Sequence, residues 1–364
     1  MRRARLAFVA AGWLVCLAMP GAAAAQELPR VRLVATGGTI SNRAGGRLTS
    51  DELVGLIPDV KRYARAESEQ FSNTASSDLT LAQWLALARR LNEVFSTDKA
   101  LGGIVVTSGT DTLEELAYFL QLTVRDPRPV VVVGSMRNPS AVGYEGAANL
   151  LEAFRVAAAP GARGKGVLVV LNDEINSARE VTKTDALRLQ TFQSRTTGVL
   201  GVVDPDRVVF YRDVVKRHTA ASEFDVSAIT ELPRVDVVLV YQDAPGDLIK
   251  AAVDLGAQGI VVAAAGAGAT SGTQFEGLAY AVGKGVPVVT TTRTGSGRIS
   301  GGRRFGPPPG GSPEAAAAQA PSPRPRGAFL GGEDLAPIKA RILLMLALAA
   351  TRDPAEIQRM FVEY

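Results

Sequence analysis

Two clusters of threonines, each directly after a predicted strand, contain the residues best suited to chemistry. Thr39 lies in the turn at residues 36–40, where two glycines allow a tight bend. Thr110 and Asp111 lie in residues 107–112, just before a predicted helix. A threonine hydroxyl attacks an acyl carbon when a neighbouring base accepts its proton. The two turns therefore predict nucleophilic hydroxyls beside a carboxylate.

Lys183, in residues 181–184, is the cation that we expect to join them. A partly desolvated lysine can have a lowered pKa and activate a hydroxyl. Each cluster also has a simpler interpretation when it is taken alone. These interpretations are a glycine turn with a solvated threonine, a helix N-cap at residues 110–112, and a solvated lysine.

Histidine and cysteine offer little alternative chemistry, because the chain has one of each. Zinc sites, Cys–His pairs and Ser–His–Asp triads all require these residues. The single cysteine, Cys16, lies in the N-terminal leader. We interpret His218, which follows Lys216 and Arg217 in a connecting segment, as a structural or surface histidine.

The N-terminal leader predicts the compartment. Residues 1–25 have a basic start, an apolar run and a small-residue end, which is typical of a Sec signal peptide. The apolar run, residues 6–19, is shorter than the roughly 20 residues that a membrane anchor needs. We therefore expect a periplasmic or secreted protein that has no membrane contact after cleavage.

Charge gives no reason to expect a nucleic-acid partner. Lys and Arg number 40 against 36 Asp and Glu, but Arg2, Arg3 and Arg5 lie in the leader. The remaining chain is close to neutral, which also argues against binding to an anionic membrane.

Short β-branched runs alternate with helical patterns and predict a parallel α/β protein. At about 150 residues per domain, the 364 residues suggest two domains. We predict a signal peptide at 1–25, a larger domain at 26–212, a connection at 213–234 and a smaller domain at 235–364. Residues 301–327, rich in Pro, Gly and Ala, are predicted to be a mobile insertion.

Several motifs together resemble the bacterial L-asparaginase (asparaginase/glutaminase) family, in its secreted type II branch. The motifs are ATGGTI at 35–40, TSGTDTLEELAYFL at 107–120, RPVVVVGSMR at 128–137, GVLVVLNDEINSAREVTKT at 166–184 and KARILLMLALAATRDPAEIQRMF at 339–361. The resemblance covers residues 30–364. It implies a larger N-terminal, mostly parallel sheet flanked by helices and a smaller C-terminal Rossmann-like α/β domain. It also implies a homotetramer of intimate dimers with each site at a subunit interface.

The same resemblance implies roles for individual residues. Thr39 matches the family's nucleophile, and Thr110, Asp111 and Lys183 match a triad in which the lysine helps to activate the threonine. Ser76, Asp111 and Thr110 match the groups that bind the substrate. The implied reaction converts L-asparagine to L-aspartate and ammonia through a β-aspartyl ester, without a metal or organic cofactor. Glutaminase activity is left open, and asparagine is the favoured substrate.

The sequence departs from the family pattern in several places. No tyrosine occurs between Ile40 and Arg62, where the family has a lid tyrosine, and Ser108 replaces the family's histidine. Residues 266–270 stand in place of a Gly-Asn-Gly turn. The acidic residue that the family supplies to a neighbouring site has two candidates, Glu314 and Glu333.

Two other functions are compatible with parts of the sequence. A dinucleotide-dependent oxidoreductase is disfavoured because the first strand ends in TGGTIS and not in G-x-G-x-x-G. A periplasmic amino-acid-binding protein with weakened catalysis would need only Ser76 and Asp111. The presence of Thr39, Thr110 and Lys183 favours the enzyme.

Overall fold

The computed structural model describes residues 27–301 and 329–364, which form two α/β units. The predicted signal peptide and residues 302–327 of the predicted insertion lie outside the described residues, as does Glu314.

The N-terminal unit is built on a sheet of eight strands. Its strands and hairpins are β1 (Arg30–Gly37), β2 (Asn42–Arg43), β3 (Gly46–Arg47), β4 (Arg65–Thr74), β5 (Leu101–Thr107), β6 (Val130–Val133), β7 (Val167–Leu171), β8 (Glu174–Ser177), β9 (Thr182–Lys183), β10 (Phe192–Gln193), β11 (Gly201–Val203) and β12 (Val208–Phe210). The order across the sheet is β12-β11-β8-β7-β6-β5-β1-β4. The strands from β7 to β4 are parallel, and β8, β11 and β12 form an antiparallel extension. The pairs β2–β3 and β9–β10 are separate two-stranded hairpins.

Helices cover both faces of this sheet, as expected for parallel strands that are apolar on both sides. The helices are α1 (Ser50–Gly55), α2 (Leu81–Thr97), α3 (Leu113–Thr123) and α4 (Gly146–Ala158). Helices α2 and α3 pack in one hydrophobic cluster, and α1 and α4 pack in another. All four valines of β6 are buried between them.

The C-terminal unit has a four-stranded parallel sheet, β13 (Val235–Leu239), β14 (Gly259–Ala264), β15 (Val288–Thr292) and β16 (Phe329–Gly331). Its helices are α5 (Asp247–Asp254), α6 (Gln274–Gly283), α7 (Pro337–Ala350) and α8 (Pro354–Glu363). Helix α7 is buried on almost every face, because it packs both on this sheet and on α3 of the other unit. The largest hydrophobic cluster consequently contains residues of both units.

The sequence patterns predict β1, β5, β6, β7, β13, β14 and β15, but not β4. Strand β4 carries the charged residues Arg65, Glu67 and Glu69 at alternate positions, a pattern also typical of a solvated segment. In the structure Glu67 accepts hydrogen bonds from Arg30 at 2.6 Å and from Arg32 at 2.9 Å. These arginines belong to β1, so pairing with the neighbouring strand satisfies the charges.

Candidate active site

The carboxyl ends of β1 and β5 bring the two threonine turns into contact. The strands pair in parallel with Ala35 opposite Thr107. The Thr36 hydroxyl donates to the Thr107 carbonyl oxygen at 2.6 Å. Gly38 has φ +88°, and a Cβ at this position would lie 2.2 Å from the Gly109 nitrogen. The close approach of the turns therefore requires glycine at position 38.

A small cavity opens where these turns meet. Its lining includes Thr39, Ser76, Thr110, Asp111 and Arg47. Thr110 and Ser76 are each 5% exposed, and Thr39 is half-buried. Ser76 reaches the cavity because it begins a short helical turn two residues after β4 ends. The structure thus gathers four of the five predicted site residues around one space.

Lys183, the fifth predicted residue, joins the cluster from the β9–β10 hairpin. Its Nζ donates to Thr110 Oγ1 at 3.0 Å and to Asp111 Oδ1 at 2.7 Å. The Lys183 side chain is 15% exposed, whereas that of Asp111 is 76% exposed. An amine this close to a buried hydroxyl can exchange a proton with it, and the exposed carboxylate is free to meet a cationic group of a substrate.

Glu114, in the first turn of α3, holds the backbone that carries this lysine. Its Oε1 accepts hydrogen bonds from the Lys183 amide at 2.9 Å and from Thr182 Oγ1 at 3.0 Å. Glu114 lies within the motif at 107–120, but the sequence assigned it no role. A role for Glu114 could have been suspected because it lies in a helix whose residues are otherwise mostly apolar.

Lys339, on α7, is a buried cation that the sequence analysis did not single out. Its side chain is 1% exposed, and Nζ donates to the carbonyl oxygens of Ala178 at 2.9 Å, Arg179 at 3.1 Å and Val181. Burial lowers the pKa of Lys339 to about 8. The sequence could have indicated this buried cation, because Lys339 is the single lysine in a helix of mostly apolar residues.

Arg47 was also missed, although it lies in the segment where the family has its lid. Its Nη1 donates to the Gly38 carbonyl oxygen at 3.2 Å, and its side chain lines the cavity. The neighbouring Arg43 pairs with Glu52 at 2.9 Å. Arg47 forms no comparable ion pair with any carboxylate in the described part of the chain. Its charge is therefore available to an anionic group in the cavity.

Tyr144 braces the glycine turn from outside. Its hydroxyl donates to the Ile40 carbonyl oxygen at 2.9 Å, one residue beyond Thr39. Burial raises the pKa of Tyr144, which keeps the phenol protonated. Nearby, Ser140 Oγ accepts a hydrogen bond from the Ala44 amide at 2.9 Å and so anchors the β2–β3 hairpin. The Tyr144 hydroxyl therefore stabilises the backbone of the glycine turn by a hydrogen bond to the Ile40 carbonyl oxygen.

The remaining residues discussed from the sequence have local partners. His218 Nδ1 lies 2.8 Å from Thr219 Oγ1, and burial lowers the pKa of this histidine. Ser108 is buried and donates to the Gly109 carbonyl oxygen at 3.2 Å. Glu333 is buried and accepts a hydrogen bond from Arg298 within the C-terminal unit. The 266–270 turn is closed by the Ala269 amide, which donates to the Ala265 carbonyl oxygen at 2.9 Å.

Within residues 27–301 and 329–364, no group of three or more His, Cys, Asp or Glu side chains is arranged to hold a metal ion. None of the helices in the same ranges is long and apolar enough to cross a membrane.

Comparison with known protein families identifies the chain. The model for the asparaginase N-terminal domain matches residues 30–216, and the model for the glutaminase/asparaginase C-terminal domain matches residues 234–361. The chain belongs to the asparaginase family. The family predicted from the sequence is thereby confirmed.

Individual members of the asparaginase family resemble the whole chain. L-asparaginase 2 of Bacillus subtilis (strain 168) is 41% identical over 349 residues, which cover 93% of this chain and 88% of that protein. A glutaminase-asparaginase of Pseudomonas fluorescens biotype A is 35% identical over 380 residues, covering 100% of each chain. The crystal structure of a probable cytoplasmic L-asparaginase from Campylobacter jejuni superposes with a TM-score of 0.82 at 38% identity, covering 92% of this chain and 100% of that one.

These relatives confirm the predicted two-domain α/β fold and, at the level of the family, the predicted class of amide hydrolase. The names of the relatives give different locations. The Campylobacter protein is called cytoplasmic, and a relative from Haemophilus influenzae (strain ATCC 51907 / DSM 11121 / KW20 / Rd), 35% identical over 349 residues (93% of this chain, 94% of that protein), is called a probable periplasmic L-asparaginase. The domain boundaries and the compartment of this chain stay predictions.

Proposed function

We propose that the protein is an L-asparaginase that hydrolyses L-asparagine to L-aspartate and ammonia, with Thr39 as the nucleophile. The observation that carries the proposal is the hydrogen-bonded chain from Asp111 through Lys183 to Thr110. Its two end residues, Asp111 and Thr110, line the cavity that Thr39 also lines. This arrangement supplies both a hydroxyl and a group able to accept its proton.

The first half-reaction forms an ester on the enzyme. Thr39 Oγ1 attacks the carbon of the substrate's side-chain amide, and the hydroxyl proton passes through Thr110 to the Lys183 amine. Backbone N–H groups of the Thr110 turn stabilise the oxyanion. The carbon–nitrogen bond then breaks, and the departing nitrogen takes the proton held by Lys183 and leaves as ammonia.

The second half-reaction releases the acid. Water attacks the ester carbon and gives up a proton to the same relay. The bond to Thr39 breaks, and the threonine oxygen recovers its proton as aspartate forms. This scheme draws only on side chains and backbone groups of the protein itself.

Substrate binding uses the charges around the cavity. The exposed carboxylate of Asp111 takes the substrate's α-ammonium group, and the Ser76 hydroxyl donates to the α-carboxylate. Arg47 supports the same carboxylate, since its guanidinium faces the cavity without an acidic partner among the described residues. Whether a longer amide such as L-glutamine fits is left to the experiment below.

The proposal includes the setting of the enzyme. Cleavage after the leader at 1–25 gives a periplasmic or secreted protein with domains at 26–212 and 235–364. The active form is a homotetramer of intimate dimers. The 76% exposure of Asp111 in the single chain supports this assembly, because a hydrolytic site needs to be closed from bulk water and a second subunit can close it.

The test is ammonia release from L-asparagine and L-glutamine by the purified protein without residues 1–25. We expect release from asparagine and its loss in Thr39→Ala. The two amides are ranked by kcat/KM. Absence of release together with calorimetric binding of either amide would instead establish the binding-protein function, in which Ser76 and Asp111 suffice.

A further inference from the structure

Helix α7 of the C-terminal unit places a buried cation against the segment that leads to Lys183. Lys339 Nζ donates to the carbonyl oxygens of Ala178, Arg179 and Val181. An ammonium group has three protons to donate. All three are therefore used by the backbone just before β9.

Glu114 completes the arrangement from the other side. Its side chain is 6% exposed, and Oε1 accepts from the Lys183 amide and from Thr182 Oγ1. The other oxygen, Oε2, has no hydrogen-bond partner within the described part of the chain and lies 3.8 Å from Lys339 Nζ. A buried carboxylate needs a counter-charge, and Lys339 supplies it.

The segment that these two residues hold also has local hydrogen bonds, from the Val181 amide to the Ser177 carbonyl oxygen at 3.0 Å and from the Thr184 amide to the Thr191 carbonyl oxygen at 2.7 Å. Strand β9 contains only Thr182 and Lys183, and it pairs with the equally short β10. Lys339 holds the carbonyl of Val181, and Glu114 holds the amide of Lys183. The backbone is therefore fixed on both sides of Thr182, immediately before the side chain that reaches Thr110.

We propose that Lys339 and Glu114 are positioning residues, which keep Lys183 Nζ within hydrogen-bond distance of Thr110 and Asp111. The inference rests on the function proposed above. It assigns the C-terminal unit a part in catalysis within the same chain. Helix α7, through Lys339, positions the backbone that carries Lys183 of the N-terminal unit.

Stability alone is a poor explanation for the pair. Buried ion pairs contribute little net stability, because the cost of desolvating two charges offsets their attraction. A second pair on the same two helices joins the units without reaching β9. Arg341 Nη1 lies 4.0 Å from Glu115 Oε2, and Arg341 Nε donates to the Val235 carbonyl oxygen at 3.0 Å. Glu115 and Arg341 therefore provide control positions on the same two helices, with side chains that are more exposed, at 18% and 27%, than those of Glu114 and Lys339.

The experiment compares Lys339→Met and Glu114→Leu with Arg341→Met and Glu115→Leu in the full mature chain. Misplacement of a reacting group by about 1 Å can lower a rate by about 100-fold. We expect the first two variants to lower kcat for ammonia release by about 10- to 100-fold, with KM within about two-fold of the wild-type value. The two controls should keep kcat within about two-fold of the wild-type value.

A conservative variant guards against misfolding. Glu114→Gln keeps the oxygen that accepts from the Lys183 amide, so it should retain more of kcat than Glu114→Leu. Equal kcat losses in the two pairs, or a wild-type kcat in Lys339→Met, would overturn the proposal. A kcat loss in Glu114→Leu that Glu114→Gln does not reduce would also contradict it.

Amide hydrogen exchange separates this inference from the proposed function. The peptide spanning 181–184 should exchange faster in Glu114→Leu than in the wild type, and it should be unchanged in Glu115→Leu. This readout needs no substrate. A wild-type protein that releases no ammonia would overturn the asparaginase proposal, whereas unchanged exchange in Glu114→Leu would overturn the positioning role.

Discussion

Both sheets carry threonines at or just after the carboxyl ends of their parallel strands, yet the hydroxyls of these threonines have different partners. At the end of the N-terminal sheet, Thr110 Oγ1 accepts a hydrogen bond from Lys183. At the end of the C-terminal sheet, Thr291 Oγ1 donates to the Val262 carbonyl oxygen at 2.7 Å, and Thr292 Oγ1 lies 3.0 Å from Thr294 Oγ1. Glycine and threonine at strand ends do not suffice for a reactive site. A titratable amine and a carboxylate must also reach them.

The charged groups of the two regions differ in the same way. In the C-terminal unit, Glu333 at the sheet end is paired with Arg298. In the N-terminal unit, Asp111 is also paired, with Lys183 at 2.7 Å, but its carboxylate is 76% exposed and lines the cavity, which Arg47 lines as well. The hairpins that carry Lys183 and Arg47 lie outside the main sheet. The carboxyl end of the N-terminal sheet therefore differs from that of the C-terminal sheet through the hairpins that bring Lys183 and Arg47 to it.

The largest difference is expected between two variants that each remove one threonine hydroxyl, Thr110→Val at the N-terminal sheet and Thr292→Val at the C-terminal sheet. Thr110→Val should lower kcat for ammonia release by about 10²- to 10⁴-fold, because the proton relay from Thr39 to Lys183 is interrupted. Thr292→Val should leave kcat within about two-fold of the wild-type value. Steady-state kinetics with L-asparagine measures both. Similar losses in the two variants would mean that the comparison between the regions is wrong.

A smaller effect is expected from the free cation at the cavity. Arg47→Gln should raise KM for L-asparagine by about 10- to 100-fold with little change in kcat, since a hydrogen bond to a charged group contributes about 1.5–3 kcal/mol. Arg43→Gln is the matched control on the same hairpin, where the arginine forms an exposed pair with Glu52. An unchanged KM in Arg47→Gln would remove this residue from substrate binding.

Two buried carboxyl groups extend the comparison to stability. Glu152, on α4, has its pKa raised to about 8 by burial and by the adjacent Asp173. The folded protein then keeps a proton that the unfolded chain loses near pH 4.5. Its contribution to the free energy of unfolding is therefore present below pH 4.5 and is lost as the pH rises towards 8, by at most about 1.4 kcal/mol per pH unit.

Chemical denaturation between pH 5 and 8 checks this sign. We expect Glu152→Gln to flatten the decline in stability over that range. Glu333→Gln should leave the decline in place, because the carboxylate of Glu333 is paired with Arg298 in the C-terminal unit. A decline of wild-type size in Glu152→Gln would contradict the assignment.

The smallest effect on kcat is expected at Tyr144, which hydrogen-bonds to the glycine turn. Tyr144→Phe removes the hydrogen bond to the Ile40 carbonyl oxygen, which contributes about 1 kcal/mol. We expect kcat to fall by no more than about five-fold, with Thr39 still able to react. A loss as large as that of Thr110→Val would instead give the phenol a direct part in the reaction.

The sequence alone determined the parts of the protein that depend on local pattern. Apolar runs predicted the central parallel strands, because strands buried on both faces need continuous apolar residues. The glycine turn at Thr39 and the turn at Thr110 were found for the same reason, since the chemistry of a turn lies within a few residues. The resemblance of motifs to a family supplied the role of Ser76, whereas the role of Lys183 was already predicted from its residue type.

Tertiary structure decided everything that depends on residues far apart in the chain. Strand β4 is recognisable only beside the arginines of β1, which satisfy its carboxylates. Lys339 contacts the carbonyl of Ala178 across 161 positions, and Tyr144 reaches Ile40 across 104. No local pattern encodes such contacts, because burial and hydrogen bonding of a charged or polar side chain depend on which elements pack around it. The position of the Lys183 side chain relative to Thr110 and Asp111 is therefore determined only in the folded chain.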